Sequence, residues 1–117
     1  MISFDKIPTI YMIETYVDLR RGIDGYASMI QDVYQLSPFE DALFLFCNRK
    51  RDKMKCLYFD GTGFWLLYKR LEKGRFKWNV SEDEKVAILD KQQFNWLLEG
   101  LKTTQKTAFK KSSPKFV

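Results

Sequence analysis

The spacing of apolar residues along the chain predicts two helices. Between residues 22 and 35, apolar side chains recur at helical spacing, which is typical of a helix with one buried face. Pro38 follows this pattern, and proline disfavours helical geometry in the residue before it, so the helix ends there. A second helix begins at Asp90, where Gln93 completes a capping box. Its apolar stripe comprises Phe94, Leu97, Leu98 and Leu101.

Short apolar runs separated by turn-forming residues lie between the two predicted helices. They cover residues 42–48, 54–60, 63–71 and 75–78. Each connection is short enough for a hairpin, so the pattern predicts an antiparallel β-meander of about four strands. A further apolar run at residues 9–13 predicts a short strand ahead of the first helix.

These elements predict a single α+β domain over residues 1–101, with one helix before the meander and one helix after it. Apolar side chains occupy both faces of the predicted sheet near its middle, so both faces need a cover. The first helix supplies one cover, and the second helix or a partner subunit supplies the other. Residues 102–117 are basic, rich in Ser and Thr and poorly periodic, which predicts a flexible tail.

Charge is distributed unevenly along the chain, whose overall net charge is +5. Residues 49–78 carry ten Lys or Arg and three acidic side chains, a net of +7, with seven aromatic residues between them. Residues 1–48 are net −4, residues 79–100 net −3 and residues 101–117 net +5. A concentrated cationic field attracts a polyanion, and flat rings either stack on bases or pack a sheet.

The cations of this central segment group around two predicted hairpin tips, and we interpret them as a nucleic-acid-binding surface that contacts phosphates. The first group comprises Arg49, Lys50, Arg51, Lys53 and Lys55, and the second comprises Lys69, Arg70, Lys73, Arg75 and Lys77. The alternative is that these residues only keep turns and edge strands soluble. Phe76 and Trp78, on the last predicted strand, are candidates for base stacking or partner contact.

Enzymatic chemistry finds little support in the residue types present. The chain has no histidine, which excludes Ser-His-Asp and Cys-His catalysis and histidine-ligated metals. Its two cysteines are too few for a tetrahedral thiolate zinc site. The Gly61-Thr62-Gly63 sequence lacks the rest of a dinucleotide fingerprint and is a hairpin turn, which pairs Tyr58 with Trp65. We therefore expect no catalytic residue, no metal and no cofactor.

Two acidic residues and two thiols are the remaining candidates for chemistry. Asp18 and Asp24 flank a tight turn and could approach each other, but Arg20 and Arg21 lie between them, which favours an ion-pair network over a metal site. A first hairpin turn centred on residues 51–52 places Cys47 opposite Cys56. Such a pair is either a redox switch or a small buried apolar pair, and we favour the second.

The sequence also predicts a location in the reducing cytoplasm without membrane contact. The N-terminus lacks a cationic segment followed by an apolar one, and Asp5 interrupts it early. The longest apolar runs, residues 42–47 and 64–68, are too short to span a bilayer.

Several stretches resemble one known family in the order in which they occur. Residues 18–25 read DLRRGIDG, residues 44–53 read FLFCNRKRDK, and residues 57–78 read LYFDGTGFWLLYKRLEKGRFKW, with a weaker match at residues 89–101, LDKQQFNWLLEGL. They are similar to the TnpB or Orf2 accessory proteins of bacterial transposons of the insertion-sequence-sixty-six group, which are unrelated to the RNA-guided nucleases that share the TnpB label. Asn79 departs from the family, which usually has proline after the tryptophan.

The resemblance implies a role in transposition beside a separate transposase. Our hypothesis is a non-enzymatic factor that binds double-stranded DNA near the element's ends, the transposase, or both, through the basic hairpin surface. The two-faced apolar sheet would support self-association or docking. The alternative is a protein–protein adaptor for the transposase that never contacts nucleic acid, and a third interpretation is a single-strand or RNA binder.

Overall fold

A computed structural model describes residues 3–78 and 86–100 of the 117-residue chain. A five-stranded sheet forms the centre of this part of the protein, and one helix packs on each face. The elements, which follow a single 3₁₀ turn at Phe4–Lys6, are β1 (Thr9–Ile13), α1 (Ile23–Asp32), β2 (Ala42–Cys47), β3 (Lys53–Phe59), β4 (Phe64–Arg70), β5 (Val86–Leu89) and α2 (Lys91–Leu98).

The strands lie in the order β4-β3-β2-β1-β5. β1 runs parallel to β2, and every other neighbouring pair is antiparallel. The α+β class and the helices before and after the meander are confirmed. The meander itself, however, contains only β2, β3 and β4, and β1 and β5 extend it to a mixed sheet. A parallel pair needs a long crossover connection, and α1 provides it between β1 and β2.

The predicted fourth strand at residues 75–78 is wrong. This segment is not a strand but crosses one face of the sheet, where Phe76 and Trp78 are buried in the core and Lys77 between them is exposed. The backbone N–H of Phe76 donates to the carbonyl oxygen of Arg51 at 2.6 Å, which fixes the segment over the first hairpin turn. Alternating burial is expected of any extended segment lying on an apolar face, so the pattern alone did not identify a strand.

The pairing of β2 with β3 is shifted from the predicted register, whereas the pairing of β3 with β4 has the predicted register. Cys47 pairs with Met54 rather than with Cys56, because the turn centres on residues 50–51 instead of 51–52. The Asn48 side chain closes that loop, since its Oδ1 accepts from the backbone N–H of Asp52 at 3.2 Å. A shift by an even number of residues keeps each side chain on its face, so both thiols remain in one core cluster.

In the β3–β4 hairpin Tyr58 pairs with Trp65 as predicted. Asp60 organises the turn by accepting hydrogen bonds from the backbone N–H groups of Thr62 and Gly63, both at 2.9 Å. Gly61 adopts a φ of 97°, a left-handed conformation that strongly favours glycine.

Both faces of the sheet are covered by the chain itself, as the apolar pattern of its strands predicts. Tyr26 and Ile30 of α1 cover one face, which we call the α1 face. Phe94 and Leu97 of α2 cover the other, together with Phe76 and Trp78. All six residues of β2 are buried, which is the expected result for a central strand with two covered faces.

The start signal predicted for the second helix agrees with the structure, whereas the predicted end of the first helix does not. At α2, the Asp90 side chain accepts from the Gln93 backbone N–H at 2.8 Å, and the Gln93 side chain accepts from the Asp90 backbone N–H at 2.9 Å. The predicted capping box is therefore confirmed. α1 is shorter than the predicted 22–35 helix and ends at Asp32. Leu101 and the predicted tail at residues 102–117 lie outside the described residues.

Candidate nucleic-acid interface

A broad concavity of about 1110 Å³ opens on the α1 face, beside the edge strand β4 and its neighbour β3. Its walls come from three places: the β1–α1 connection, the β2–β3 turn and the two strands. The residues lining it are Tyr16, Val17, Asp18, Leu19, Arg20, Asn48, Arg49, Lys50, Lys53, Lys55, Leu66 and Tyr68. Four of the ten predicted nucleic-acid-binding residues thus share one surface.

Strand alternation directs two of the lining cations, Lys53 and Lys55, into the concavity. Successive side chains of β3 point to opposite faces, so Met54 and Cys56 enter the core under α2 while Lys53 and Lys55 point to the α1 face. β4 pairs with β3 so that Tyr68 lies opposite Lys55. The lysines are therefore held by the regular geometry of a sheet rather than by a loose loop.

Aromatic rings position the cations without neutralising them. The Lys55 ammonium lies 5.7 Å from the centroid of the Tyr26 ring and 6.0 Å from that of Tyr68. It also donates to the carbonyl oxygen of Arg21 at 3.2 Å. The guanidinium carbon of Arg49 lies 5.8 Å from the centroid of the Tyr16 ring. Cation–π contacts of this kind are attractive but leave the positive charge able to bind an anion.

The one carboxylate among the lining residues is paired. Asp18 Oδ2 accepts from Arg20 Nη2 at 2.7 Å, and hydrogen bonds from Arg20 hold the pKa of Asp18 well below its usual range. The Tyr26 hydroxyl donates to the Asp18 carbonyl oxygen at 3.0 Å and anchors this connection to α1. Of the ion-pair network predicted around Asp18 and Asp24, the pair between Asp18 and Arg20 is confirmed. Arg49, Lys50, Lys53 and Lys55 therefore dominate the charge of the concavity.

The other predicted cations do not line this concavity. The Lys69 ammonium donates to the carbonyl oxygen of Leu98 at 3.0 Å, on the opposite face of the sheet. Arg70 forms an exposed ion pair with Glu72, with Nε 2.8 Å from the carboxylate oxygen. Lys73, Arg75 and Lys77 are exposed on the segment that follows β4.

Arg51 also lies apart from the concavity, although it belongs to the first hairpin turn. It adopts a φ of 62° there, and its carbonyl oxygen accepts from Phe76. The backbone of Arg51 therefore has a structural role in tying the turn to the segment that crosses the sheet.

Phe76 and Trp78 are not placed for base stacking. Phe76 is fully buried and Trp78 is 5% exposed, because both rings fill the core between the sheet and α2. The Trp78 indole N–H donates to the carbonyl oxygen of Ile13 at 2.8 Å. The expectation of an exposed edge strand was the source of this error, since the segment lies on a face of the sheet.

Eight of the twelve lining residues were not among the predicted contacts, and Arg20, Tyr16 and Tyr68 are three of them. Arg20 was interpreted only as the partner of an acidic residue, and Tyr16 and Tyr68 were not singled out. A signal for Tyr68 was available, since the predicted β3–β4 pairing already placed it opposite Lys55. No comparable signal existed for Tyr16, which reaches the concavity from a connection that is distant in sequence.

Two other features bear on chemistry. Within residues 3–78 and 86–100 there is no group of three or more potential metal-ligating side chains. Cys47 and Cys56 are free and buried, and burial raises the pKa of each thiol to about 12.

No helix in the described part of the chain has the length and apolar character needed to cross a membrane.

Fold and site together define a small α+β protein with a basic concave surface on one side of a mixed sheet. The chain belongs to the family described as IS66 Orf2 like protein, whose sequence profile matches residues 8–108. This family associates the chain with transposition, in an accessory role.

Two curated relatives come from Sinorhizobium fredii (strain NBRC 101917 / NGR234). The uncharacterized protein y4hO is 34% identical over 92 residues, which cover 79% of each chain. The uncharacterized protein y4jC is 30% identical over 89 residues, covering 76% of this chain and 75% of the relative. No solved structure matches the chain.

Proposed function

We propose that this protein is a non-enzymatic accessory factor of transposition that binds DNA near the ends of its element and cooperates with a separate transposase. The observation that carries the proposal is the concavity on the α1 face. It gathers Arg49, Lys50, Lys53 and Lys55 around one surface and pairs its single carboxylate with Arg20. Clustered lysine and arginine side chains neutralise phosphates and release their counterions, which is the main source of affinity for DNA.

The chemistry of the concavity favours the phosphate backbone as the bound group. Lysine and arginine dominate its polar groups, and they contact phosphate through charge and hydrogen bonds. Contacts to phosphate position a protein on DNA but carry no sequence information of their own. We therefore expect binding that depends steeply on salt and only weakly on sequence, with recognition of the element's ends shared with the transposase.

Fluorescence anisotropy tests this proposal directly. Purified protein is titrated into a duplex of the terminal inverted repeat, a scrambled duplex and a single strand, each across a salt series. Tight duplex binding that weakens steeply with salt supports the proposal, because each phosphate contact adds about 0.9 to the salt slope. Preference for the single strand would instead favour base stacking, and absence of binding at low salt would exclude the DNA-binding role.

A matched pair of charge reversals locates the contact. Glutamate replaces Arg49, Lys50 and Lys53 in the test variant, and it replaces Lys73, Arg75 and Lys77 in the control. Both variants change the net charge equally, so a difference between them reports position rather than overall charge. We expect the test variant to lose affinity and salt dependence far more than the control. Equal losses would mean that the concavity has no special role.

A second candidate function is a protein–protein adaptor that holds the transposase, and one exposed aromatic cluster favours it. Phe39 is 60% exposed, and its ring contacts those of Phe59 and Phe64, with centroids 5.1 and 5.4 Å away. Exposed apolar patches often mark docking sites. Replacing Phe39 with serine should weaken capture of the transposase, in a manner insensitive to salt, while leaving DNA affinity unchanged.

A further inference from the structure

The outer strand β4 has an open hydrogen-bonding edge. It occupies one end of the sheet, and within the described residues it pairs with β3 alone. The strand is seven residues long, contains no proline and pairs with β3 in an unbroken register. Long, regular edges of this kind are templates for pairing with another strand. The opposite edge strand, β5, has only four residues.

The ladder between β3 and β4 shows which backbone groups face outward. At one end the N–H of Leu71 donates to the carbonyl oxygen of Asp52 at 2.8 Å, and at the other the N–H of Asp60 donates to that of Gly63 at 3.0 Å. Inward and outward bonds alternate along an antiparallel strand. The residues whose backbone groups point away from β3 are therefore Phe64, Leu66, Tyr68 and Arg70.

We propose that this edge pairs antiparallel with the same edge of a second copy of the chain, with Leu67 opposite its own counterpart across a twofold axis. Only registers that match outward groups with outward groups are allowed. Among these, the register centred on Leu67 overlaps all seven residues of both strands. It makes hydrogen-bonded pairs of Phe64 with Arg70 and of Leu66 with Tyr68.

The side chains of β4 are complementary to themselves in this register. Trp65, which is 43% exposed, lies opposite Lys69 of the second copy, and Phe64 lies opposite Arg70. Each cation therefore meets a ring, an attractive arrangement, and no two cations face each other. The charges at the end of β4 discourage a partner strand that is basic at the facing end, and they are accommodated by a strand with aromatic residues at its opposite end. β4 itself is such a strand.

Pairing would also enlarge the candidate DNA surface, a consequence that rests on the proposed function. Leu66 and Tyr68 line the concavity on the α1 face and also belong to the open edge. They would lie beside the twofold axis, so the concavities of both copies would join into one continuous basic surface. The backbone of duplex DNA has approximate twofold symmetry, so a surface with the same symmetry can contact both strands in the same way.

Disulfide trapping tests the dimer and its register without DNA. A Leu67→Cys variant brings two thiols together at a non-hydrogen-bonded pair, where Cα atoms are about 4.5 Å apart, a distance that a disulfide spans. A Trp65→Cys variant is the matched control, since its thiols would be separated by four residues along the strands, about 13 Å. We expect mild oxidation to give covalent dimer with the first variant only. The buried native thiols should not contribute, and wild-type protein checks this.

Sedimentation equilibrium of the wild-type protein and two further variants completes the test. Wild-type protein should dimerise reversibly. Trp65→Lys should weaken the dimer about tenfold, because it sets two symmetric pairs of like charges against each other, and W65K/K69W should restore it. Wild-type protein that stays monomeric at all concentrations overturns the proposal. So does a dimer that Leu67→Cys traps no better than Trp65→Cys.

These outcomes are independent of the proposed function. DNA binding without dimerisation would overturn only the edge pairing. Dimerisation without DNA binding would overturn only the proposed function.

Discussion

Lys55 lies directly opposite Tyr68 in the β3–β4 ladder, and its ammonium group lies 6.0 Å from the centroid of that tyrosine ring. The pair brings a cation and an aromatic ring together on the floor of the concavity. Tyr26, from the helix above, contacts the same ammonium from another side. Lys55 is therefore the cation most completely positioned by the fold.

Replacing Lys55 with glutamine should reduce DNA affinity and lower the salt slope by about 1, because one phosphate contact is lost. The matched control is Lys77→Gln, which removes the same charge from an exposed site outside the concavity. Anisotropy titrations across a salt series give both quantities. Equal slopes for the two variants would show that Lys55 does not contact phosphate.

Replacing Trp78 with phenylalanine should lower the free energy of unfolding by about 1–3 kcal/mol, because the carbonyl oxygen of Ile13 then remains buried without its indole donor. Trp65→Phe is the control, since the Trp65 indole binds Asp60 at an exposed turn where water replaces the lost bond. Urea unfolding measures both variants. A smaller effect at Trp78 than at Trp65 would contradict the buried position of the 75–78 segment.

Asp60 should contribute to the loss of stability in acid. Hydrogen bonds from the Thr62 backbone N–H and then from the Trp65 indole hold the pKa of Asp60 well below its usual range. A depressed folded-state pKa gives stability that is present above the unfolded-state pKa of about 4 and is lost as the pH falls further. Asp60→Asn should therefore show a flatter decline of the urea midpoint between about pH 5 and pH 2. Parallel declines for variant and wild type would contradict this.

Cys47 and Cys56 should be inert towards thiol reagents in the folded protein. Burial raises the pKa of both thiols to about 12, so almost no thiolate is present at neutral pH, and neither sulfur is accessible. Ellman's reagent should therefore label both residues only after denaturation in urea. Rapid labelling of native protein at either position would reopen the redox interpretation.

Much of the candidate site followed from local sequence, because strand alternation and turn residues act over short distances. Lys53 and Lys55 had to share a face, and the Asp60–Gly63 turn had to pair Tyr58 with Trp65. The convergence of Arg20 and Tyr16 with these lysines depends on the β1–α1 connection, which is more than 25 residues away in sequence. No local pattern encodes that contact.

The sequence by itself determined the capping box that starts α2, the two apolar faces of the sheet and the concentration of positive charge in residues 49–78. These properties depend on residue type and period. Only the tertiary structure decided that β1 lies between β2 and β5, and that Phe76 and Trp78 cover a face instead of forming an edge. Strand order and the choice between face and edge are set by which distant apolar surfaces bury each other, and several arrangements satisfy the same local pattern.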